Sequence, residues 1–334
     1  MRRHSKIKIL FGILIAVILI TAFGVGLYVY ENYGNDRGGR GSQNLDKELK
    51  FGDKTYEISH DIEAYLLIGT DDSMKEEAEE TGEYIGGMAD FQLLFVMDRT
   101  ANKYGFLQLN RDTITDVSLL DENDKMLSES ALQICISHTY GSSPEKSCEN
   151  TEKDVSEFLG GMPIDGYYSI SMHDIPLLNQ SVGGVRLTIQ EDLTVVDPAF
   201  REGATLTLSD KQAEKFVRAR MSVGDGENTS RMQRQLQFME AYKKQVKERS
   251  KDDPAFVNDL YNQLREVAVT DIPGNRASAI ANFMYKADDR GILQYEGTKE
   301  EGDTLGDGEI HAEFYADEES VIKALKTLCG IGEN

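Results

Sequence analysis

The chain has 334 residues, of which 40% are hydrophobic, so it is long enough for one large domain or two smaller ones with a substantial core. It carries 36 Lys and Arg against 58 Asp and Glu, a formal charge of -22, which argues against a nucleic-acid-binding surface because such surfaces are basic. The three cysteines show no CxxC spacing, and the sequence lacks HExxH, GxxxxGK[ST] and GxGxxG, which argues against zinc ribbons, zincins and nucleotide-binding loops.

The N-terminal segment predicts a membrane anchor. Residues 9–30 form an almost unbroken apolar run without a charged side chain, and about 20 such residues suffice to cross a bilayer as a helix. Four basic residues precede this run, which predicts a cytoplasmic tail over residues 1–8 and an extracellular C-terminal part. A cleaved signal peptide is the alternative, but its apolar region is typically about 7–15 residues and ends in small residues.

A glycine-rich stretch follows the predicted anchor. Residues 31–50 predict a flexible linker, and the folded extracellular domain is expected over residues 51–330. An extracellular location permits disulfides, and Cys135 with Cys148 is the best candidate pair, with unpaired thiols as the alternative.

Short apolar runs predict the first strands. They cover residues 64–68, 91–97 and 104–109, and a polar turn between the last two predicts a hairpin. Residues 129–138 and 151–159 are interpreted as helices.

The second half of the chain predicts one further strand and two helices. Residues 185–189 are expected to form a short strand. Ser209 and Gln212 resemble a capping box that begins a helix ending near Arg220. Apolar residues at helical spacing predict another helix from about Ser230. Strands mixed with helices predict an α/β sandwich with a sheet that is not purely parallel.

Acidic residues cluster at the ends of the first three predicted strands. Asp71 follows the first strand, Asp90 begins the second, and Arg111-Asp112 follows the third. The start of one hairpin strand lies beside the end of its partner, so Asp90 is expected near Arg111 and Asp112. If the first strand runs parallel to the third, Asp71 joins the same edge. Two carboxylates with water and phosphate oxygens suit Mg²⁺, although ordinary turn residues are the alternative.

Four arginines stand out in this acidic chain. Arg218, Arg220, Arg231 and Arg234 fall within 17 positions, and Arg231, Arg234 and Gln235 share one face of the predicted helix. Cations in a first helical turn oppose the helix dipole, whereas the guanidinium fork suits phosphate oxygens. A phosphate or pyrophosphate site explains the cluster; the alternative is a surface ion-pair network. The Ser137-His138 pair is interpreted as structural because no G-x-S-x-G surrounds the serine.

The ordered motifs resemble one known family. They are the anchor, Leu67-Ile68-Gly69-Thr70-Asp71, Ala89-Asp90-Phe91, Asn110-Arg111-Asp112-Thr113, Val182-Gly183-Gly184-Val185, Phe216-Val217-Arg218-Ala219-Arg220 and Arg231-Met232-Gln233-Arg234-Gln235. Together they are similar to the LytR-CpsA-Psr (LCP) family of cell-wall glycopolymer ligases. The resemblance covers a core of about residues 57–246 and, more loosely, residues 247–330.

The resemblance implies an α/β/α sandwich with a central mixed sheet. It also implies transfer of a glycopolymer from a polyprenyl-pyrophosphate carrier to peptidoglycan at the membrane lipid surface. Asp71 and Asp90 match the carboxylates that hold Mg²⁺ in the family, and Arg111, Arg218 and Arg220, with the 231–235 block, match its pyrophosphate-binding side. Asp90 and Asp112 are both candidates for the general base.

The chain also departs from the family's pattern. Members often have a proline before the Arg-Asp pair, where this chain has Asn110, and an Asn-Ala-Tyr-like segment where it has Ser137-His138-Thr139-Tyr140. These departures keep two alternatives open: a non-catalytic carrier-binding or regulatory envelope protein, and a hydrolase that uses water as the acceptor.

Overall fold

The computed structural model of the protein describes residues 48–71, 84–219 and 228–333. The predicted anchor, most of the predicted linker, Arg220 and the acidic segment after Asp71 lie outside this part. Among the described residues, no helix combines the length and the apolar character needed to span a membrane. The first described strand begins at Glu48 rather than at the predicted Phe51.

The strands have these bounds in chain order: β1 Glu48–Phe51, β2 Lys54–Glu57, β3 Ile62–Thr70, β4 Ala89–Asp98, β5 Lys103–Leu109, β6 Ile114–Leu120, β7 Met126–Gln133, β8 Tyr167–Ser171, β9 Arg186–Thr188, β10 Thr205–Thr207, β11 Val269–Thr270, β12 Asp288–Leu293, β13 Gly297–Gly302, β14 His311–Ala316 and β15 Gly332–Glu333. The α-helices are α1 Pro144–Phe158, α2 Ile175–Ser181, α3 Asp210–Arg218, α4 Asn228–Asp252, α5 Pro254–Arg265, α6 Gly274–Lys286 and α7 Glu318–Cys329. Short 3₁₀ helices cover Ile134–Thr139 and Met172–Asp174.

The described residues divide into two compact units. The sheet unit contains residues 48–71, 84–171, 268–272 and 286–333. The helical unit contains residues 172–219, 228–267 and 273–285. Each is described by itself below.

A six-stranded mixed sheet organises the sheet unit. Its order is β11-β8-β3-β4-β5-β12. Strand β4 is antiparallel to both of its neighbours, β3 and β5, whereas β8 runs parallel to β3 and β12 runs parallel to β5. The prediction of a mixed α/β fold with a central mixed sheet is therefore confirmed, and so is the β4–β5 hairpin.

Helices α1 and α7 cover one face of this sheet. Alternate residues of the central strands, such as Leu66, Leu94 and Leu107, share a core with Val155 of α1 and Leu325 of α7. Strand side chains alternate between faces, so the residues between them point to the other face. That face carries stacked or tilted aromatic rings, contributed by Tyr65, Phe95, Tyr104 and Phe106. The helical layer that a complete sandwich needs on this second face stays a prediction.

The predicted helix over residues 129–138 is wrong. Residues up to Gln133 belong to β7, which pairs antiparallel with β6, and a 3₁₀ helix follows. Leu132, Cys135 and Ile136 have helical spacing, but they pack together with Val117 of β6 as part of a strand and a 3₁₀ turn. Tertiary packing of a small apolar cluster therefore overrides the periodicity.

The three other predicted helices are confirmed. The predicted helix at residues 151–159 is the second half of α1, which ends at Phe158. Ser209 and Gln212 form a complete capping box at the start of α3, which ends at Arg218. Helix α4 begins at Asn228, slightly before the predicted Ser230, and its residues Met232 and Val246 are buried. The predicted strand near residues 185–189 is β9, which pairs with β10.

Candidate functional site

The predicted strand-end residues lie at one edge of the central sheet. Strand β4 is antiparallel to both β3 and β5, so the end of β3, the start of β4 and the end of β5 meet there. Asp71 directly follows β3, Asp90 is the second residue of β4, and Arg111 comes two residues after β5. The hairpin argument from the sequence therefore placed these residues correctly.

Asp71 and Asp90 are brought together by the backbone of Met88. The Met88 carbonyl accepts hydrogen bonds from the Asp71 and the Asp90 amides, both at 3.0 Å. The Met88 amide in turn donates to Asp71 Oδ1 at 2.8 Å. A Cβ on the preceding residue, Gly87, would lie 2.0 Å from the Asp71 carbonyl oxygen, so only glycine allows this close approach.

Arg111 is the cation of this edge and is 7% exposed. Its Nη1 forms an ion pair with Asp90 Oδ1. Its Nε lies 3.2 Å from Asp112 Oδ1, an ion pair without hydrogen-bond geometry, and its Nη2 donates to Met88 Sδ at 3.3 Å. Burial by itself lowers the pKa of Arg111. Cys135 and the carboxylates of Asp90, Asp112 and Asp71 together raise it by more, so the pKa of Arg111 lies above its ordinary value.

Two sulfur-containing residues of this cluster were missed by the sequence reasoning. Met88 supplies both a backbone carbonyl and its thioether, and Cys135 lies next to Arg111. Burial raises the pKa of Cys135 to about 11, so at neutral pH it is an uncharged thiol and the carboxylates supply the counter-charge to Arg111. The Cys135 amide donates to the Arg111 carbonyl at 3.2 Å, and no sequence motif marks that contact.

The proposed Cys135–Cys148 pair is not a disulfide. Both residues, and Cys329, are buried free cysteines. Cys148 instead lies with its Sγ 3.6 Å from His138 Nε2, whereas Cys135 points to the Arg111 cluster. Closeness in sequence was therefore misleading, because the two thiols contact different residues: Cys135 contacts Arg111, and Cys148 contacts His138.

Asn110 forms the turn that presents the Arg-Asp pair. Its Oδ1 accepts from the Asp112 amide at 3.1 Å and its carbonyl accepts from the Thr113 amide at 3.0 Å. Its own amide donates to the Tyr295 hydroxyl at 3.0 Å, a contact that a proline could not make. This departure from the family pattern therefore keeps the turn through an asparagine side chain.

Ser137 and His138 have structural contacts, as the sequence analysis predicted. Ser137 Oγ donates to the buried Asp154, which also accepts from Ser118. His138 Nδ1 lies 2.8 Å from the Gly87 carbonyl, next to the turn that holds Asp71. Burial lowers the pKa of His138 to about 4, so the ring is neutral at physiological pH. Through this contact, His138 helps to fix the backbone turn at Gly87 that holds Asp71.

The donor chemistry of the strand-end cluster fits Mg²⁺. Asp71 and Asp90 provide hard carboxylate oxygens on adjacent backbone, and Mg²⁺ typically binds one or two carboxylates and completes its shell with water and phosphate oxygens. No group of three or more Asp, Glu, His or Cys side chains suited to a metal occurs among the described residues. A site of the predicted kind would therefore use two carboxylates.

The second predicted set of residues lies in the helical unit. Arg218 is the last residue of α3, and its Nη1 donates to Glu214 Oε1 at 3.2 Å. Arg220 lies outside the described residues. Arg231 is in the first turn of α4 and Arg234 in the second, and both are buried. The alternative, a surface ion-pair network, describes Arg218, which pairs with Glu214. Arg234 also pairs with an acid, Glu191, but its side chain is buried rather than on the surface.

Gln235 is the most unusual side chain of this set. It is buried, and within the part of the chain that the structure describes neither its Oε1 nor its Nε2 has a hydrogen-bond partner. A buried amide without partners costs about 1–3 kcal/mol. Such a group is expected to have a partner in a complex, so Gln235 is a candidate ligand-binding residue.

The family model for the "LytR_cpsA_psr family" matches residues 29–326 of the chain. The protein belongs to the LytR-CpsA-Psr family. Among functionally curated proteins, none matches the chain.

Solved structures share the fold of this LytR-CpsA-Psr protein. The Lin1025 protein from Listeria innocua is 21% identical with a TM-score of 0.54, and covers 80% of this chain and 98% of its own. B. subtilis TagV is 21% identical with a TM-score of 0.56, covering 80% and 95%. TagT bound to LI-WTA is 17% identical with a TM-score of 0.56, covering 88% and 98%. At these identities the likeness shows the fold alone.

Proposed function

We propose that the protein is a membrane-anchored, Mg²⁺-dependent ligase that moves a glycopolymer from a polyprenyl-pyrophosphate carrier to peptidoglycan, with its folded domain outside the cell. Membership of the LytR-CpsA-Psr family supports the coarser statement, a cell-wall glycopolymer transferase. The structure of TagT bound to LI-WTA supports a glycopolymer partner. The observation that carries the proposal is the convergence of Asp71, Asp90, Arg111 and Asp112 at one sheet edge.

The proposed reaction is a phosphoryl transfer. A sugar hydroxyl of the wall forms a bond to the sugar-linked phosphorus, the bond from that phosphorus to the bridging oxygen breaks, and polyprenyl phosphate leaves with the electron pair. Negative charge grows on the leaving oxygen, and fixed guanidinium groups stabilise it there. We assign this stabilisation to Arg111, and pyrophosphate binding to Arg111 together with Arg218, Arg220, Arg231, Arg234 and Gln235.

The carboxylates of the sheet edge have two roles in this proposal. Asp71 and Asp90 would hold Mg²⁺, which supplies positive charge to the pyrophosphate oxygens. The hydroxyl proton passes to a general base, a role worth about 10²–10⁴-fold in rate. Asp90 and Asp112 are the two candidates, and both form ion pairs with Arg111.

A transfer assay with matched variants tests the proposal. The purified full chain is incubated with a synthetic polyprenyl-pyrophosphoryl sugar and wall fragments, with and without Mg²⁺. We expect Mg²⁺-dependent release of polyprenyl phosphate and labelled sugar on the wall. Asp90→Asn is expected to lose at least about 10²-fold in rate, the range for a general base. Arg218→Ala is expected to weaken binding of the carrier by about tenfold or more, the value of one charge-assisted hydrogen bond, and to lower the transfer rate accordingly. The exposed controls Asp116→Asn and Arg201→Ala are expected to keep the wild-type rate.

The products distinguish the proposal from its alternatives. Release of polyprenyl phosphate with a sugar phosphate in solution and none on the wall would indicate hydrolysis. Binding of the carrier without release under any condition would indicate a non-catalytic binding protein. Wild-type release that survives Asp90→Asn would overturn the assignment of the strand-end cluster.

A further inference from the structure

A tyrosine hydroxyl joins the two ends of the turn that carries Arg111 and Asp112. The turn runs from Asn110 to Thr113, and the Thr113 amide donates to the Asn110 carbonyl at 3.0 Å. The Tyr295 hydroxyl accepts from the Asn110 amide at 3.0 Å and shares a hydrogen bond with Thr113 Oγ1, which is 2.7 Å away. One oxygen atom therefore contacts both the first and the last residue of the turn.

Strand β12 brings Tyr295 to this place. It runs parallel to β5, with Leu293 opposite Leu107. Tyr295 follows Leu293 by two residues, and Leu109, the last residue of β5, follows Leu107 by two. The parallel pairing thus places Tyr295 beside the point where the chain leaves the sheet and enters the turn.

The hydrophobic core holds the ring of Tyr295. The residue is 7% exposed, and its ring is tilted against those of Phe158 and Phe314, with centroids 5.6 and 5.9 Å away. Burial raises the pKa of Tyr295 to about 12, so the hydroxyl keeps its proton at neutral pH. It can therefore donate one hydrogen bond while it accepts another, and close packing keeps it in one position.

Backbone contacts hold the middle of the same turn but not its ends. The Arg111 and Asp112 carbonyls accept from amides of the 3₁₀ helix after β7 and of β14, at 3.2 and 2.8 Å. Without the Tyr295 hydroxyl, the Asn110 amide and the fully buried Thr113 hydroxyl would lose this partner. Unpaired polar groups in a protein interior are costly, so the turn would shift towards new partners.

The position of this turn matters because its two middle side chains belong to the strand-end cluster. Arg111 forms ion pairs with Asp90 and Asp112. A displacement of about 1 Å in a catalytic group can cost about 10²-fold in rate. A residue that fixes the turn therefore acts on the rate through the groups that the turn carries.

We propose that Tyr295 is a positioning residue whose hydroxyl holds the Arg111-Asp112 turn in the geometry that the transfer reaction needs. This inference rests on the proposed function. It assigns to Tyr295 no contact with the carrier, so the effect of the hydroxyl is expected in the chemical step rather than in binding.

The division of the effect between kcat and KM tests the inference. Tyr295→Phe keeps the ring and removes only the hydroxyl. In the transfer assay with the full chain, synthetic polyprenyl-pyrophosphoryl sugar, wall fragments and Mg²⁺, we expect kcat to fall by about 10–10²-fold. The KM for the carrier should rise at most about threefold, because interactions made in the transition state act on kcat. An unchanged kcat, or a loss confined to KM, would overturn the inference.

Tyr242→Phe is the matched control. Tyr242 is also a buried tyrosine, and its hydroxyl shares a hydrogen bond with Ser181 Oγ at 2.9 Å in the helical unit. This variant loses a comparable hydrogen bond without touching the turn, so kcat is expected to stay within about twofold of the wild-type value while stability falls slightly. Equal losses of kcat in Tyr295→Phe and Tyr242→Phe would overturn the inference.

A second variant tests the other end of the contact. Thr113→Val removes the Thr113 hydroxyl and leaves the bond to the Asn110 amide, so it should lower kcat by about threefold or more, but less than Tyr295→Phe does. The double variant should have the kcat of Tyr295→Phe alone within about twofold, because that contact is already lost. A wild-type kcat in Thr113→Val, or losses that multiply in the double variant, would overturn the inference.

Hydrogen exchange separates this inference from the proposed function. Without any substrate, Tyr295→Phe is expected to speed exchange of the Asn110 amide by about tenfold, because the amide loses its acceptor, and Tyr242→Phe is expected to leave it unchanged. Unchanged exchange in Tyr295→Phe would overturn the inference. A wild-type chain without transfer activity would overturn the proposed function, while the exchange result would still decide whether Tyr295 holds the turn.

Discussion

Two regions of the protein bury arginine side chains, and they neutralise the charge in different ways. In the sheet unit, Arg111 pairs with Asp90 and with Asp112, its neighbour in sequence. In the helical unit, Arg234 pairs with Glu191, which is 43 residues away in the chain, and with a backbone carbonyl. The strand-end cluster thus combines a cation and carboxylates in one place. In the helical unit, Arg234 has hydrogen-bond partners, whereas the amide of its neighbour Gln235 has none among the described residues.

The difference shows that a count of arginines is a poor guide to their roles. Arg111 balances carboxylates, the buried Arg234 binds Glu191 and a backbone carbonyl, and Arg218 is 39% exposed beside Glu214. Among the described residues of this group, Gln235 has no hydrogen-bond partner on either polar atom of its side chain.

The largest expected effect is at Arg111. Arg111→Met removes the counter-charge of two buried carboxylates, and breaking a buried ion pair in this way costs about 3–5 kcal/mol. Urea unfolding of the full chain, followed by circular dichroism, measures the loss. Arg218→Met, at an exposed i, i+4 pair, is the control and should cost at most about 0.5 kcal/mol. Similar losses in both variants would contradict the distinction between the two regions.

Gln235 should show the opposite sign. Gln235→Leu removes a buried amide without partners, so we expect an increase in stability of about 1–3 kcal/mol together with weaker binding of polyprenyl pyrophosphate. Gln237→Leu is the matched control, because its amide donates to the Thr188 carbonyl. That variant should lose about 0.5–1.5 kcal/mol. A stability loss in Gln235→Leu would mean that its amide is satisfied in the free protein.

A third prediction concerns an acidic group of the sheet unit. Burial, with the nearby Asp271, Asp165 and Glu149, raises the pKa of Glu152 to about 7. The folded state therefore binds a proton that the unfolded state loses between about pH 4.5 and 7, and stability falls as the pH rises through this range. Glu152→Gln should stabilise the protein above pH 7 and have less effect below pH 4.5. Unfolding curves at pH 4.5 and 8 measure this, and equal shifts at both would contradict it.

The smallest expected effect is the pH dependence from His138. Burial holds its pKa at about 4 rather than 6.5, so between these values the unfolded chain binds a proton that the folded chain does not. Stability therefore falls as the pH falls through this range. The slope of stability against pH should be flatter in His138→Gln, whatever its stability at pH 7. An unchanged slope would show that the ring titrates normally in the folded protein.

The strand-end cluster was predictable because it depends on local patterns. Apolar runs marked β3, β4 and β5, and a hairpin places the start of one strand beside the end of its partner. Asp71, Asp90, Arg111 and Asp112 followed from that rule. Met88 and Cys135 did not, because their contacts with Arg111 depend on the backbone turn at Gly87 and on the 3₁₀ helix after β7.

The sequence predicted that the arginines between residues 218 and 234 form a group, but it did not predict which residue each of them contacts. The residues of this group share helix faces that the sequence shows, but Glu191 meets Arg234 only through the packing of α4 along β9. The misread helix at residues 129–138 and the Cys135–Cys148 pair failed for a related reason. Both were judged from spacing, and the partner strand β6 decided the conformation.

The family, the central strands, the capped helix α3 and the residue types that suit a pyrophosphate and Mg²⁺ can all be recognised in the amino-acid sequence. These depend on periodicity and on short motifs, which act over a few neighbouring residues. Only the tertiary structure decided which charged groups neutralise one another and which buried polar group lacks a partner. Hydrogen bonds and ion pairs depend on distances of about 3 Å between residues far apart in the chain, and packing sets those distances.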